Sequence, residues 1–411
     1  MKTIPQKTER LHSLDSLRAI MMLLGIILHS SITYLGGEPS RGWPLRDPNT
    51  ESEFLGWLLS IIHNFRMPIF MLVAGFFAAL LFYDRSPKKM IINRIKRIVL
   101  PFVVFVILLW PLVTISFSYS NTVFSFDKLF DSVIGEKYIN TTFSDFTQLI
   151  NFLPEKTMHL WFLYYLIMFS IVSYVLGTLF RKLPVFTNKI SNLFNFIITK
   201  PLLKLVVFSL LTFLILLIMG SSWVNTSTSF IPEIGTFSFY FSFYLFGWVL
   251  FKSKHLLSSF LKYDRLFLIL GIIIFTIYYL VDLTDFTFQL IALIKSISVW
   301  FFIFGFTGLF MRYFSKHSVI MRYVSDSAYW VYLLHLPLTG LIPGLISDWN
   351  ISGFLKFSVV VLLTTLICFI TYNLFVRTTF IGRFLNGRKY SRKLSDIKKT
   401  EELNNLKPVL D

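Results

Sequence analysis

Apolar runs of sixteen to twenty-eight residues recur along this chain, divided by short polar stretches. A helix needs about 20 such residues to cross a hydrocarbon core, so the pattern predicts membrane-spanning helices. Ten spans follow: 14–35, 55–82, 98–118, 158–180, 204–219, 236–251, 266–282, 289–311, 328–347 and 354–376. The expected fold class is therefore all-α, a polytopic integral membrane protein of about ten transmembrane helices. Residues 1–13 form a short leading segment, 14–376 one transmembrane domain, and 377–411 a basic, polar, partly ordered tail. The longest polar interval, 119–157, is too short for a separate globular unit. Its phenylalanines (Phe124, Phe126, Phe130, Phe143, Phe146, Phe152) suit an amphipathic helix lying on the membrane. No internal repeat is visible.

Composition agrees with this reading. Of 411 residues, 55% are hydrophobic and 15% charged, with 47 Phe, nine Trp and a mean hydropathy of +0.67. Soluble domains of this size are not so apolar. The single cysteine, Cys368, excludes an intrachain disulfide. The first apolar run lacks a small-residue cleavage site, so it is expected to stay as an anchor. A net charge of +17 could indicate nucleic acid, but its distribution argues otherwise. Alternate intervals carry 29 Lys+Arg on one side and 5 on the other. The positive-inside rule then places both termini in the cytoplasm, and the basic surplus faces anionic lipid. The lipid bilayer as partner and no nucleic acid are expected.

Ionisable residues inside the apolar runs are costly, so each one asks for a reason. Arg18 and His29 stand eleven residues apart in the first span, on one helix face and about 16 Å apart along the axis. Asp15, three before Arg18, can orient it through an ion pair. His63 and Arg66 neighbour each other in the second span, where Pro68 suggests a kink. Arg66 either lines a buried polar site or snorkels to the surface. Arg94 and Arg97 precede the third span. Two guanidiniums at that spacing suit phosphate, and an ordinary positive-inside anchor explains them equally well. His159 and Trp161 open the fourth span at its outer end, among aromatic residues that membrane interfaces favour anyway. Tyr332, His335 and Pro337 mark the ninth, with His335 about seven residues from the cytoplasmic end at an expected helix break. His335 lines a cavity there or bonds a neighbouring helix. Lys295 is a further candidate lining charge, whereas Asp282 and Asp285 sit near an outer boundary and need no special role. No Gly-rich nucleotide loop, metal-spaced Cys/His cluster or His-Glu-x-x-His pattern occurs, and no metal is expected.

The direction of these residues carries the functional reading. Arg18, Arg94 and Arg97 gather at the inner surface, His29 lies deeper, and His159 and Trp161 approach from outside. That suits a donor with an anionic head and a long arm, such as acyl-CoA, meeting an acceptor from the far side. His29 would then act as general base on an acceptor hydroxyl. A secondary transporter of an anion is the rival from another class.

These residues resemble the acyltransferase-3 family of membrane-bound O-acyltransferases. The resemblance rests on the arginine, ten residues, then histidine of the first span (Arg18, His29) and on the Arg-x-x-Arg element Arg94, Arg97. Leu14–Ala19, Phe65–Phe70, His159–Leu163 and Tyr332–Pro337 add to it, and it extends over roughly residues 10–385. It implies His29 as the catalytic residue with Arg18 and Asp15. It implies donor contacts from Arg18, Arg66, Arg94 and Arg97, and acceptor contacts from His63, His159, Trp161, Tyr332 and His335. The implied reaction moves an acyl group from cytoplasmic acyl-CoA (succinyl-CoA or acetyl-CoA), a co-substrate rather than a bound cofactor, to a carbohydrate hydroxyl outside. Within the family the similarity runs to the branch that succinylates periplasmic glucans. O-acetylation of lipopolysaccharide O-antigen or another envelope polysaccharide is the alternative. No fused hydrolase-like domain is visible in the sequence, which suggests transfer in one step.

Overall fold

The computed structural model describes residues 11–40, 42–125, 153–224, 226–281 and 287–391. All regular elements among the described residues are helical, with no strand. The helices are α1 (His12–Ile32), α2 (Glu53–Leu80), α3 (Pro87–Arg94), α4 (Leu100–Ser125), α5 (Trp161–Phe180), α6 (Pro184–Thr199), α7 (Pro201–Met219), α8 (Ile234–Lys252), α9 (Asp264–Leu280), α10 (Phe288–Tyr313), α11 (Val319–Leu345), α12 (Gly353–Thr371) and α13 (Phe380–Asn386). Nine helical runs among the described residues are long and apolar enough to cross a membrane. The expected span at 266–282 is also helical, as the 17-residue α9. The protein is thus an all-α polytopic membrane protein. Leu11 precedes α1 without a side-chain cap, whereas Ser52 caps α2 by accepting from the Leu55 N–H.

α2 is the most enclosed span and packs along α8. A Cβ on Gly75 would stand 1.9 Å from the Tyr244 carbonyl oxygen, and one on Gly247 1.8 Å from that of Leu72. The two glycines let the backbones touch, as small residues do where helices cannot gain from excluding water. α1 lies against α2 and α11, and α11 against α4. This brings Arg18 and His29 of α1 beside α2 and α11, which carry Arg66 and His335.

The expected interfacial segment at 119–157 falls largely outside the described residues. An amphipathic helix, α6, lies between spans α5 and α7. Its buried face is narrow (Phe194, Ile198) and much of the rest is exposed. Two expectations about α11 need correcting. The break expected at Pro337 does not form, since α11 runs through Pro337 and Pro343. Because α11 begins at Val319, His335 sits sixteen residues from the basic end and closer to the other.

The start of the tail has a defined place. α13 ends at Gly387 in the left-handed region (φ 86°), and Arg97 donates to the carbonyls of Arg383 (2.8 Å) and Phe384 (2.6 Å). Free carbonyls at a helix end need such donors. Tyr390 then donates to Asp326 Oδ1 at 2.8 Å, and burial pushes its hydroxyl pKa up, so it stays a donor. Arg322 completes the group through an ion pair to Asp326 at 2.9 Å.

Candidate active site

Three histidines from three helical segments meet between α1, α5 and α11. The His29 ring centroid lies 5.3 Å from that of His335, and His335 lies 5.3 Å from His159. Their protonation pattern follows from backbone chemistry. Pro337 has no N–H, so the carbonyl four residues back, Leu333, loses its helical partner. His159 takes that place, its Nε2–H donating to Leu333 O at 3.2 Å. In return the Tyr332 hydroxyl donates to the His159 carbonyl at 2.6 Å. His335 donates from Nδ1 to the carbonyls of Tyr332 (2.7 Å) and Val331 (3.2 Å). Each ring therefore keeps a lone pair on the other nitrogen, and His159 Nδ1 and His335 Nε2 are buried without a partner. His29 Nδ1 is likewise unpartnered. Of the three, His29 is the least buried.

Arg66 supplies the charge beside them. Gly25 on α1 makes its room: a Cβ there would stand 2.6 Å from Arg66 Nη1 and 3.3 Å from His335 Nε2. Among the described residues its sole hydrogen-bond partner is the Met67 sulfur at 3.6 Å, and Nε has none. Tyr332 and Tyr240 lie within its electrostatic reach, and among the described residues no carboxylate pairs with it. Arg66 does not snorkel outward; it is held inside.

Trp43 closes the other side and was not legible as a site residue. Its indole stacks on His29 at 5.3 Å and 13° and meets Phe117 edge-on at 4.7 Å. The interval between α1 and α2 folds back to put it there. Trp43 Nε1 donates to Thr33 Oγ1 at 3.1 Å, the Asp47 N–H to Thr33 O at 2.9 Å, and Arg46 to the Ile32 carbonyl. A buried ion pair, Lys356 to Asp47 at 2.8 Å, ties this interval to α12. The only sequence signal for this was an apolar tryptophan in a polar interval beside Arg46 and Asp47.

The basic end holds a second group. Arg18 forms an ion pair with Asp15 at 3.4 Å and lies 5.5 Å over the Phe77 ring. Arg94 enters between α2 and α8, donating to Ala74 O at 3.4 Å, within electrostatic reach of Arg18 and Tyr244. Arg97 does not join them, because it caps α13. A π-helical segment, Ile95–Val99, begins between the two arginines. Its wider turn breaks the rule that residues three apart share a face. Trp161 packs on Tyr240 (5.4 Å) and Tyr165 rather than on the histidines. His63 stacks on Trp223 at 4.5 Å and 11°, in a neighbouring cavity.

The Pro337 arrangement makes a testable prediction. Pro337→Ala restores a backbone N–H that competes for the Leu333 carbonyl, so His159 loses its anchor. Thermal stability is expected to hold or rise, while turnover falls about tenfold, the worth of roughly one hydrogen bond. Unchanged turnover would show that the orientation of His159 is immaterial.

What this arrangement can do is move a proton at His29 and hold negative charge at Arg66, between an arginine-lined end and a charge-poor end. The acyltransferase-3 family, an acyltransferase domain, matches residues 11–373. Glucans biosynthesis protein C from Salmonella paratyphi B and from Salmonella heidelberg are each 30% identical over 183 residues, 44% of this chain and 42% of theirs. The matched stretch thus spans less than half the length of these relatives. No solved structure matches the chain. An acyltransferase assignment sets aside the anion transporter. With a family match running through the first twelve helices and enclosing the histidine cluster, this chain belongs to the acyltransferase-3 family of membrane acyltransferases.

Proposed function

We propose that the protein transfers an acyl group, in the favoured case succinyl, from cytoplasmic acyl-CoA to a hydroxyl of a periplasmic or surface glucan. The observation that carries this is the placement of His29, Arg66 and Trp43 in one buried cluster about 16 Å along α1 from Arg18. The positive-inside rule makes the arginine end cytoplasmic, so the donor phosphates lie with Arg18 and Arg94. The reach from Arg18 to His29 then suits an extended arm with its thioester at His29.

His29 removes the proton from the acceptor hydroxyl, and the hydroxyl oxygen attacks the thioester carbonyl. The carbonyl oxygen becomes an oxyanion, which Arg66 stabilises in a water-poor site. Collapse breaks the carbon–sulfur bond, and the imidazolium of His29 returns its proton to the departing thiolate. The sugar ester and free CoA are the products. His159 and His335, anchored by their donor nitrogens, present lone pairs that receive and orient the acceptor's other hydroxyls. Similarity to glucans biosynthesis protein C supports a glucan acceptor, since that name describes the relatives.

Purified protein in nanodiscs, given labelled succinyl-CoA or acetyl-CoA and a glucan, tests this. Label is expected on the sugar, with succinyl preferred. Arg18→Ala and Arg94→Ala are expected to raise KM for the CoA donor about tenfold or more and to leave glucan KM unchanged, because phosphate contacts are charge-assisted. Equal increases for both substrates, or no sugar-bound label, would overturn the reading.

A further inference from the structure

α2 carries His63 one turn from Arg66, and His63 faces a different space. A cavity of about 190 Å³ lies among α2, α7, α8, α9, α10 and residues 222–224. It sits at the charge-poor end, and Tyr240 in its wall lies within electrostatic reach of Arg66. The cavity therefore adjoins the histidine cluster on the acceptor side.

Its chemistry is specific. Lys295 donates to the Ser222 carbonyl at 3.2 Å, and its ammonium lies 4.9 Å from the Trp223 ring and 5.4 Å from that of Tyr278. Ser296 Oγ is buried at the cavity with no partner among the described residues, and Asn64, whose amide donates to Ser298 Oγ at 2.9 Å, also lines it. No lining residue is acidic.

Five Lys and Arg residues lie inside the spans predicted from sequence, and the structure accounts for the others. Arg18 pairs with Asp15, and Lys356 with Asp47. Lys204 sits among Phe260, Phe304 and Phe267 with the Ser259 carbonyl. Arg66 serves the histidine cluster. Lys295 faces an open cavity, and among the described residues no carboxylate pairs with it. A cation at this depth is costly without a counter-charge. Flat indole and phenol walls suit the apolar face of a sugar ring, and the ammonium suits an anion on that ring.

We propose that this cavity is an acceptor subsite for an acidic sugar unit. The unit adjoins the sugar acylated at His29, with its ring among the aromatic walls of Trp223, Tyr278 and Tyr279 and its anionic group on Lys295. The proposal rests on the glycan acyltransferase reading above and names a feature of the acceptor.

Equilibrium binding without any donor tests it, on full-length protein in nanodiscs. The probes are labelled oligosaccharides of one length: neutral, glucuronate-bearing and sugar-phosphate-bearing. Wild type is expected to bind at least one anionic probe about tenfold more tightly than the neutral one, with the preference fading as salt rises. Lys295→Met is expected to abolish the preference while keeping neutral binding, and Lys295→Arg to retain it. Equal affinity for all three probes on wild type overturns the proposal without recourse to any variant. Retained preference in Lys295→Met overturns it too. Because no donor is present, failure of acyl transfer is seen separately: a protein that prefers acidic glycans but labels none keeps the subsite and loses the reaction.

Discussion

His29→Ala lowers the single-turnover rate of acyl transfer by about 10²–10⁴-fold, the usual contribution of a positioned general base. The donor KM stays close to wild type, because the phosphate contacts assigned to Arg18 and Arg94 lie at the far end of α1. Folding is affected little. The variant forfeits the stacking on Trp43, worth about 1 kcal/mol for an aromatic pair, and His29 Nδ1 has no hydrogen-bond partner to lose among the described residues. His159 and His335 make the comparison informative. Both anchor to backbone carbonyls of α11 and are fully buried, so their alanine variants lose orientation and stability together. Labelled-donor kinetics on the three variants, with melting curves beside them, separate the base from its neighbours. A His29→Ala enzyme with more than half the wild-type rate would remove His29 from the chemistry.

Arg66→Met produces two effects of opposite sign. Turnover falls about 10²–10³-fold, the cost of losing one oxyanion donor. Thermal stability holds or rises, because a guanidinium without a carboxylate is replaced by an apolar side chain of similar length. A residue that merely joined helices would show the reverse, lower stability with modest kinetic change. Arg66→Lys restores the charge but not the fork, and is expected to recover part of the rate. Loss of both activity and fold in Arg66→Met would assign Arg66 to architecture. Gly25→Ala is a useful companion, since its Cβ would intrude on Arg66 Nη1 and displace the group without removing it.

Much of the architecture was legible because a bilayer admits few solutions. Backbone groups in hydrocarbon must pair within the helix, so long apolar runs become helices whatever their neighbours. The spacing of Arg18 and His29 on α1 follows from helix geometry alone, and so does the i, i+3 pairing of Arg18 with Asp15. The same rule misled at Arg94 and Arg97. Local sequence does not announce the π turn between them, and the guanidinium of Arg97 found stronger acceptors at the end of α13. The proline rule misled in another way. Pro337 was read as a break, yet the helix continues and the freed carbonyl binds His159. A proline removes one donor, and whether the helix bends or a neighbour substitutes depends on what packs there.

Composition and periodicity by themselves determined that this chain is a bundle of membrane helices with its positive charge at one end. They also singled out the side chains too costly to leave in lipid. Only tertiary structure decided which of those costs are settled by partners and which remain for substrates. Lys356 meets Asp47 across 309 positions, whereas Arg66 and Lys295 meet no carboxylate among the described residues. Trp43 reaches His29 through a folded interval that no periodicity describes. The physical reason is that burial in a helix depends on local pattern, while the neutralisation of a buried charge depends on contacts between distant segments, which one-dimensional pattern does not encode.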